Sequence, residues 1–382
     1  MAPRTIVIGA GFAGLSTAYH LALGSRDPRS VLLLERDPAP ALHASGRNAG
    51  MIRQAVADPA LARLAGEGRR LLEKAARSWK GLSLAPTGSI FLSDSAGAGL
   101  KELRGIERTA RLTGLRVQRL SRRQAERRVP LLEGARFEEA LLCPSDAQVD
   151  IAALAAGFRR ELTRLGVRMS FNRRIERIRP ARDGFEVRAG GETFGAGRLV
   201  NAAGAWAGEV ARLAGATRVP LTAYRRHLYF GRVKPFDKKW PFVWDISRGL
   251  YFRPYGGRLL ASPCDKEPFA LSDRRRAARA ESPDPRVERS LEGKIRGFGG
   301  GIAGFRIEER KAALRTMTPD GRFVVGEDAK LGNFFWVAAL GGHGVTTSFS
   351  TGRLAAGIVL GRRQDPFLVK AFSPARFLRS RR

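Results

Sequence analysis

The sequence predicts an α/β plus α+β protein, with a Rossmann-like domain assembled from separate segments and interleaved with a β-rich second domain. Three observations predict it. The chain opens on a β-branched run, Arg4-Thr5-Ile6-Val7-Ile8, a glycine turn, Gly9-Ala10-Gly11-Phe12-Ala13-Gly14, and a helical pattern over 15–23. The α/β character returns at 198–204, an apolar strand ending at glycine, and again over 323–360. Between these returns strand signals dominate, above all over 222–262. A chain of 382 residues has room for about two such domains.

The opening strand, turn and helix follow the G-x-G-x-x-G spacing, which places an anion on a helix N-terminus where backbone N–H groups and the dipole converge. Gly9 makes the tight turn, Gly11 lets backbone approach a pyrophosphate, and Gly14 lets helix and strand pack closely. Phe12 and Ala13 fill the turn between them. A second apolar strand, 30–34, ends at Glu35-Arg36, and an acid there is placed to accept hydrogen bonds from a ribose. Together these point to a dinucleotide site.

A loop over 37–50 follows, with Ser45-Gly46-Arg47-Asn48-Ala49-Gly50 inside it. Helical periodicity runs over 59–80, a strand over 88–92 and an amphipathic helix over 99–113. Ser121 caps a short helix that stops before Pro130, and Asp150 caps another over 151–165. The stretch 143–149 reads as irregular. Strands at 167–171, 174–178, 184–189 and 198–204 precede a helix over 205–214. Strands at 227–230, 250–254 and 258–261 make the β-rich part. The stretch 265–310 is polar, helical over 285–295. Strands at 323–326 and 334–339 lead through Gly341-Gly342-His343-Gly344 to a helix over 345–360. The expected division gives 1–58, 146–220 and 312–362 to the nucleotide domain, 59–145 and 221–311 to the second domain, and 363–382 to a basic tail.

Composition narrows the function. Two cysteines, Cys143 and Cys264, and four histidines lack the spacing of a disulfide framework or a metal site. No stretch approaches the ~20 apolar residues of a membrane span, and the chain enters its first strand too early for a signal peptide. A reducing, cytoplasmic setting is expected, with a membrane-peripheral one as the alternative. The net charge of +32 raises nucleic acid or an acidic partner as a secondary reading. The basic residues are mostly arginine and scattered, which favours a solvated surface; local clusters include 274–276 and 379–382.

Several spaced blocks resemble those of the D-amino-acid oxidase-like FAD-dependent oxidoreductases, which include glycine oxidase, sarcosine oxidase and the D-amino-acid dehydrogenases. They are the N-terminal fingerprint ending at Glu35, the loop 45–50, Leu199-Val200-Asn201-Ala202-Ala203-Gly204-Ala205-Trp206-Ala207, Gly249-Leu250-Tyr251-Phe252-Arg253-Pro254, the block 313–321, and Leu340-Gly341-Gly342-His343-Gly344-Val345-Thr346. The resemblance implies an FAD enzyme that oxidises a small amino acid, a D-amino acid or a glycine-like one, by hydride transfer to flavin N5, with the imine then hydrolysed. It implies that Gly9, Gly11, Phe12, Ala13, Gly14, Glu35, Arg36, Ser45, Arg47, Asn48, Ala49, Gly50, Ile175, Ala203, Gly204, Trp206, Gly341, Gly342, Gly344, Val345 and Thr346 hold the cofactor. A helix opening at Val345 would aim its positive end at the flavin. Arg315 would bind the substrate carboxylate and Tyr251 would assist, with Arg226 and His227 as further candidates facing the same region. His343 would lie beside the flavin or serve the turn. The covalent members' cysteine has no counterpart near Ala313, so non-covalent FAD is expected. The electron acceptor stays open among dioxygen, a quinone and a carrier protein. Two other readings stay open: the same fold oxidising a 2-hydroxy acid or polyol phosphate, and a flavoprotein that docks on RNA to act on a tRNA-linked amine.

Overall fold

A computed structural model describes residues 4–271 and 280–378. The basic clusters at 274–276 and 379–382 lie outside the described residues. The first domain is built on a six-stranded sheet in the order Val324–Glu327, Phe334–Ala338, Arg198–Asn201, Thr5–Ile8, Val31–Leu34, Arg168–Ser170. All neighbours are parallel except the pair formed by Val324–Glu327, at one edge. The inner strands are apolar runs because both faces are covered. Val7, Leu33, Val200 and Val337 point to one face, under the helices Phe12–Gly24 and Ser348–Val359. Ile6, Ile8, Leu32 and Leu199 point to the other, under the helix Ala207–Ala214 and the hairpin meander Ile175–Ala181, Gly184–Ala189, Glu192–Ala196. The two long helices cross closely: a Cβ on Gly352 would lie 2.1 Å from Ser16 Oγ.

The second domain is a nine-stranded sheet. Its path runs Glu267–Pro268, Thr222–Arg232, Arg258–Ser262, Leu250–Tyr255, Phe242–Asp245, Ser89–Ser93, Glu139–Cys143, Gln118–Leu120, with Arg306–Met317 also paired to Thr222–Arg232. Pairing is antiparallel except between Phe242–Asp245 and Ser89–Ser93. Alternation divides its faces. Tyr229, Val243, Phe252 and Leu259 pack under the helix Pro285–Phe298 with Leu291, Ile295 and Phe298. Leu228, Phe230, Tyr251 and Leu260 turn the other way, together with Ala49.

Caps behave as the sequence implies. Ser121 forms a full capping box with Gln124 on the helix Arg122–Arg128, and the Asp150 side chain accepts from Ala153 N on the helix Ile151–Arg164. Three departures stand out. The Arg306–Met317 strand begins inside the run 265–310, expected to be polar and helical only in its middle, because the strand's charges mask the period of two. The boundary expected at 311/312 therefore falls inside one strand. The helix Pro59–Ser78, expected in the second domain, packs Leu61, Leu64 and Leu72 into the core beside Val7. The stretch expected to be irregular holds the end of the Glu139–Cys143 strand and Ala147–Val149, which forms a small sheet with Met51–Ile52 and Leu84–Ala85.

Candidate active site

A cleft runs from the glycine turn, between the six-stranded sheet and the Tyr251 face of the larger one, to Arg315. Its outer end is built by the first βαβ unit. Gly9 sits at φ +105°, and its N–H donates to Leu34 O at 2.8 Å. A Cβ there would lie 2.5 Å from Ala202 O, so only glycine fits. A Cβ on Gly14 would lie 1.8 Å from Gly9 O, which makes Gly14 the packing glycine, behind the wall. Gly11, Phe12 and Ala13 line the cleft. The Phe12 N–H, at the start of the helix, donates to Ser45 Oγ at 2.9 Å. The Glu35 carboxylate accepts from Ala10 N at 2.6 Å and from Asp37 N at 3.0 Å, bracing the turn from the second strand. Arg36 lies over the Trp206 ring at 3.9 Å and pairs with Asp37 at 3.1 Å. Ile175, Ala203, Gly204 and Trp206 close this end.

The loop 41–50 forms one side. The Asn48 side chain donates to Ser45 O at 2.6 Å and accepts from Gly50 N at 2.8 Å, so it organises the loop. Arg47 pairs with Glu281 at 2.7 Å. Beneath the loop, buried Arg253 donates to Ala49 O, Gln148 Oε1 and Pro254 O. Burial pulls its guanidinium down to about 10, still charged at neutral pH. Ala49 and Gly50 are thereby held in the cleft wall.

At the inner end, Gly341, Gly342, Gly344 and Val345 line the wall. The helix opens at Ser348 rather than Val345, because turns continue through Thr347. Thr346 is buried behind the wall, where its Oγ1 accepts from Arg53 N at 2.9 Å and donates to Met51 O at 3.3 Å. It staples the turn to the small sheet. His343 also lies outside the wall. Its Nε2 is 2.9 Å from Arg53 Nη2. Arginine only donates, so Nε2 accepts and the ring proton belongs on Nδ1. Burial, then the charges of Arg53 and Arg315, push its pKa well below the usual histidine value, so the ring is neutral at pH 7. Arg53 itself lies over the Trp244 ring at 4.3 Å.

The substrate candidates come from the larger sheet. Arg315 projects into the cleft from the Arg306–Met317 strand, and a Cβ on Gly342 would lie 3.6 Å from its Nη1. Its Nε and Nη2 have no hydrogen-bond partner among the described residues. Burial, then the charge of Arg226, pull its pKa down to about 10. Tyr251 lines the wall on the neighbouring face, its hydroxyl pKa raised by burial. Arg226 and His227 do not face the same region. Adjacent strand residues point to opposite faces, so Arg226 enters the cleft while His227 turns away, fully buried. His227 Nδ1 is 2.8 Å from Asp265 Oδ2, and its Nε2 accepts from Asp284 N at 2.9 Å, a structural clasp. Arg53 and the wall residues Met51, Leu228 and Trp244 were not among the sequence candidates. The alternation of Phe242–Asp245, which turns Trp244 to the cleft, was the signal available for one of them.

Among the described residues no cluster of histidine, cysteine and acidic side chains could hold a metal, and no helix is long and apolar enough to cross a membrane. The profile of the FAD-dependent oxidoreductases matches residues 4–358. The chain is 25% identical over 374 residues to the 4-methylaminobutanoate oxidase (formaldehyde-forming) of Paenarthrobacter nicotinovorans, covering 94% of this chain and 44% of that protein. It is 28% identical over 254 residues to the monomeric sarcosine oxidase of Streptomyces avermitilis, covering 64% of each. It thus spans less than half the length of the 4-methylaminobutanoate oxidase. In fold it is similar to glycine oxidase from Geobacillus kaustophilus, with a TM-score of 0.81, 22% identity and all of both chains covered. It is also similar to L-proline dehydrogenase from P. horikoshii, with a TM-score of 0.87, 20% identity, 99% of this chain and 98% of that one. Neither Cys143 nor Cys264 is in the cleft wall, in keeping with a cofactor held without a thioether. The glycine cradle, the acid on the second strand and the length of the cleft fit the cofactor of that profile, and the chain belongs to the FAD-dependent oxidoreductase family.

Proposed function

We propose that this protein oxidises the C–N bond of a small amino acid, glycine-like, N-methylated or of the D series. The observation that carries the reading is Arg315: a guanidinium with two unpartnered nitrogens, held in the cleft wall beside the glycine turn. A planar fork of this kind suits a substrate carboxylate, which two parallel N–H···O bonds would fix in orientation. The names of the relatives, 4-methylaminobutanoate oxidase and sarcosine oxidase, supply the amine.

Bound FAD supplies the acceptor for two electrons. The chain's own part is to bind and orient. Arg315 takes the carboxylate, and the Tyr251 hydroxyl adds a donor from the adjoining face. Met51, Leu228 and Trp244 exclude water from the amine, which favours its neutral form. Neutral His343 carries no charge towards the substrate. No side-chain base is required once the amine arrives deprotonated. The oxidised product, an imine, leaves for hydrolysis. At the far end, Gly11, Ser45 and Glu35 would hold the diphosphate and ribose.

Anaerobic mixing of the flavin-loaded protein with a panel of glycine, N-methyl and D-amino acids tests the reading. Bleaching of the flavin absorbance by members of the panel is expected. Bleaching by 2-hydroxy acids and by no amine would replace it.

A further inference from the structure

We infer that the substrate carries two carboxylates, one held by Arg315 and the second by Arg226. The inference rests on the amine-oxidation reading and narrows it to a substrate class. Arg226 and Arg315 lie on adjacent antiparallel strands, where Arg226 pairs with Ala313 and Tyr224 pairs with Arg315. They are diagonal neighbours on one face, about 7–8 Å apart with their Cβ atoms somewhat closer. Both enter the same cleft wall.

Neither guanidinium is satisfied. Among the described residues Arg226 Nε and Nη1 and Arg315 Nε and Nη2 have no hydrogen-bond partner. One carboxylate, Asp265, acts on both. It stands 4.0 Å from Arg226 Nε and is committed to His227, accepting from the backbone N–H at 3.1 Å and meeting Nδ1 at 2.8 Å. Two desolvated like charges side by side are costly unless matched by anions. One substrate carboxylate satisfies one fork and leaves the other cation buried without a full partner. Two carboxylates on a short chain satisfy both. Among the described residues Tyr251, Leu228 and Trp244 line the space around them, and besides Asp265 the Cys264 thiol acts on both guanidiniums.

The test is calorimetric titration of the flavin-loaded protein with succinate and with butyrate, equal in chain length and neither oxidisable. Succinate is expected to bind at least thirtyfold more tightly. In Arg226→Gln that ratio is expected to fall to threefold or less, and in Arg226→Lys, which keeps the charge, to stay above tenfold. A wild-type ratio below threefold, or a ratio unaffected by Arg226→Gln, overturns the inference. If Arg226→Gln does not fold, as a thermal melt would report, the wild-type ratio and Arg226→Lys decide. The two readings fail separately. A succinate preference in a protein whose flavin no amine bleaches leaves the two-anion pocket and removes amine oxidation. Amine bleaching with no succinate preference does the reverse. Where both hold, N-methylaspartate is expected to exceed N-methylalanine in kcat/KM by tenfold or more.

Discussion

Arg315 offers the cleft two guanidinium nitrogens that no group among the described residues accepts from. Charge-assisted hydrogen bonds contribute about 1.5–3 kcal/mol each, so a bidentate carboxylate pair contributes several kcal/mol to binding. Arg315→Ala should therefore raise KM for carboxylated amines by about two orders of magnitude, read from steady-state kinetics. An unchanged KM would take Arg315 out of the site. Tyr251→Phe removes a hydroxyl and keeps the ring; a KM rise of about fivefold is expected, near 1 kcal/mol. The sequence located Arg315 through its block and Tyr251 through its strand. It could not separate Arg226 from His227, because which face of a strand meets a cleft depends on what covers the other face. Here the Pro285–Phe298 helix claims the Tyr229 side, and His227 goes with it.

At the scale of elements, the βαβ unit was legible because each glycine answers a local requirement. Gly14 shows how strict that is: its Cβ position is 1.8 Å from Gly9 O, a backbone atom that cannot swing aside. Gly14→Ala should cost about 1–3 kcal/mol by overpacking and weaken FAD retention, measured by urea unfolding and by flavin-to-protein absorbance ratio. Wild-type stability in that variant would contradict the packing described. The Arg306–Met317 strand was harder to see. Its first half, Arg306 to Lys311, alternates exposed with half-buried positions of which Ile307 alone is apolar, so hydrophobic periodicity is faint until Ala312. The helix start at Ser348 was missed for a related reason. Val345, Thr346 and Thr347 carry no helix-breaking residue type, and the turn that continues through them is held by Thr346, tied to Arg53 and Met51 across the chain.

For the whole molecule, histidines tie stability to pH. Burial, then the charge of Arg353, lower the pKa of His20 to about 4, and burial, then the charge of Arg53, lower that of His343 well below its usual value. Both folded pKa values lie below the unfolded value near 6.5. As pH falls, the unfolded chain takes up these protons first, so stability is full above about pH 6.5 and declines below it. His20 alone accounts for about 3 kcal/mol between pH 6.5 and 4. The melting temperature should fall steadily over that range, and His20→Gln should flatten part of the slope. Equal slopes for the two proteins would assign the acid sensitivity elsewhere.

The crossing of the Phe12–Gly24 and Ser348–Val359 helices also governs how the chain is made. The first βαβ unit is made long before its neighbour strand Arg198–Asn201 and its covering helix Ser348–Val359. At about 5–20 residues per second, the opening strand waits on the order of 20–70 s for that helix. During that interval an apolar strand and an uncovered helix face are exposed to other nascent chains. Productive synthesis therefore favours slow initiation, low temperature or a holdase, and the wall of the flavin cleft is complete only once the Ser348–Val359 segment has been made and has packed on the first helix.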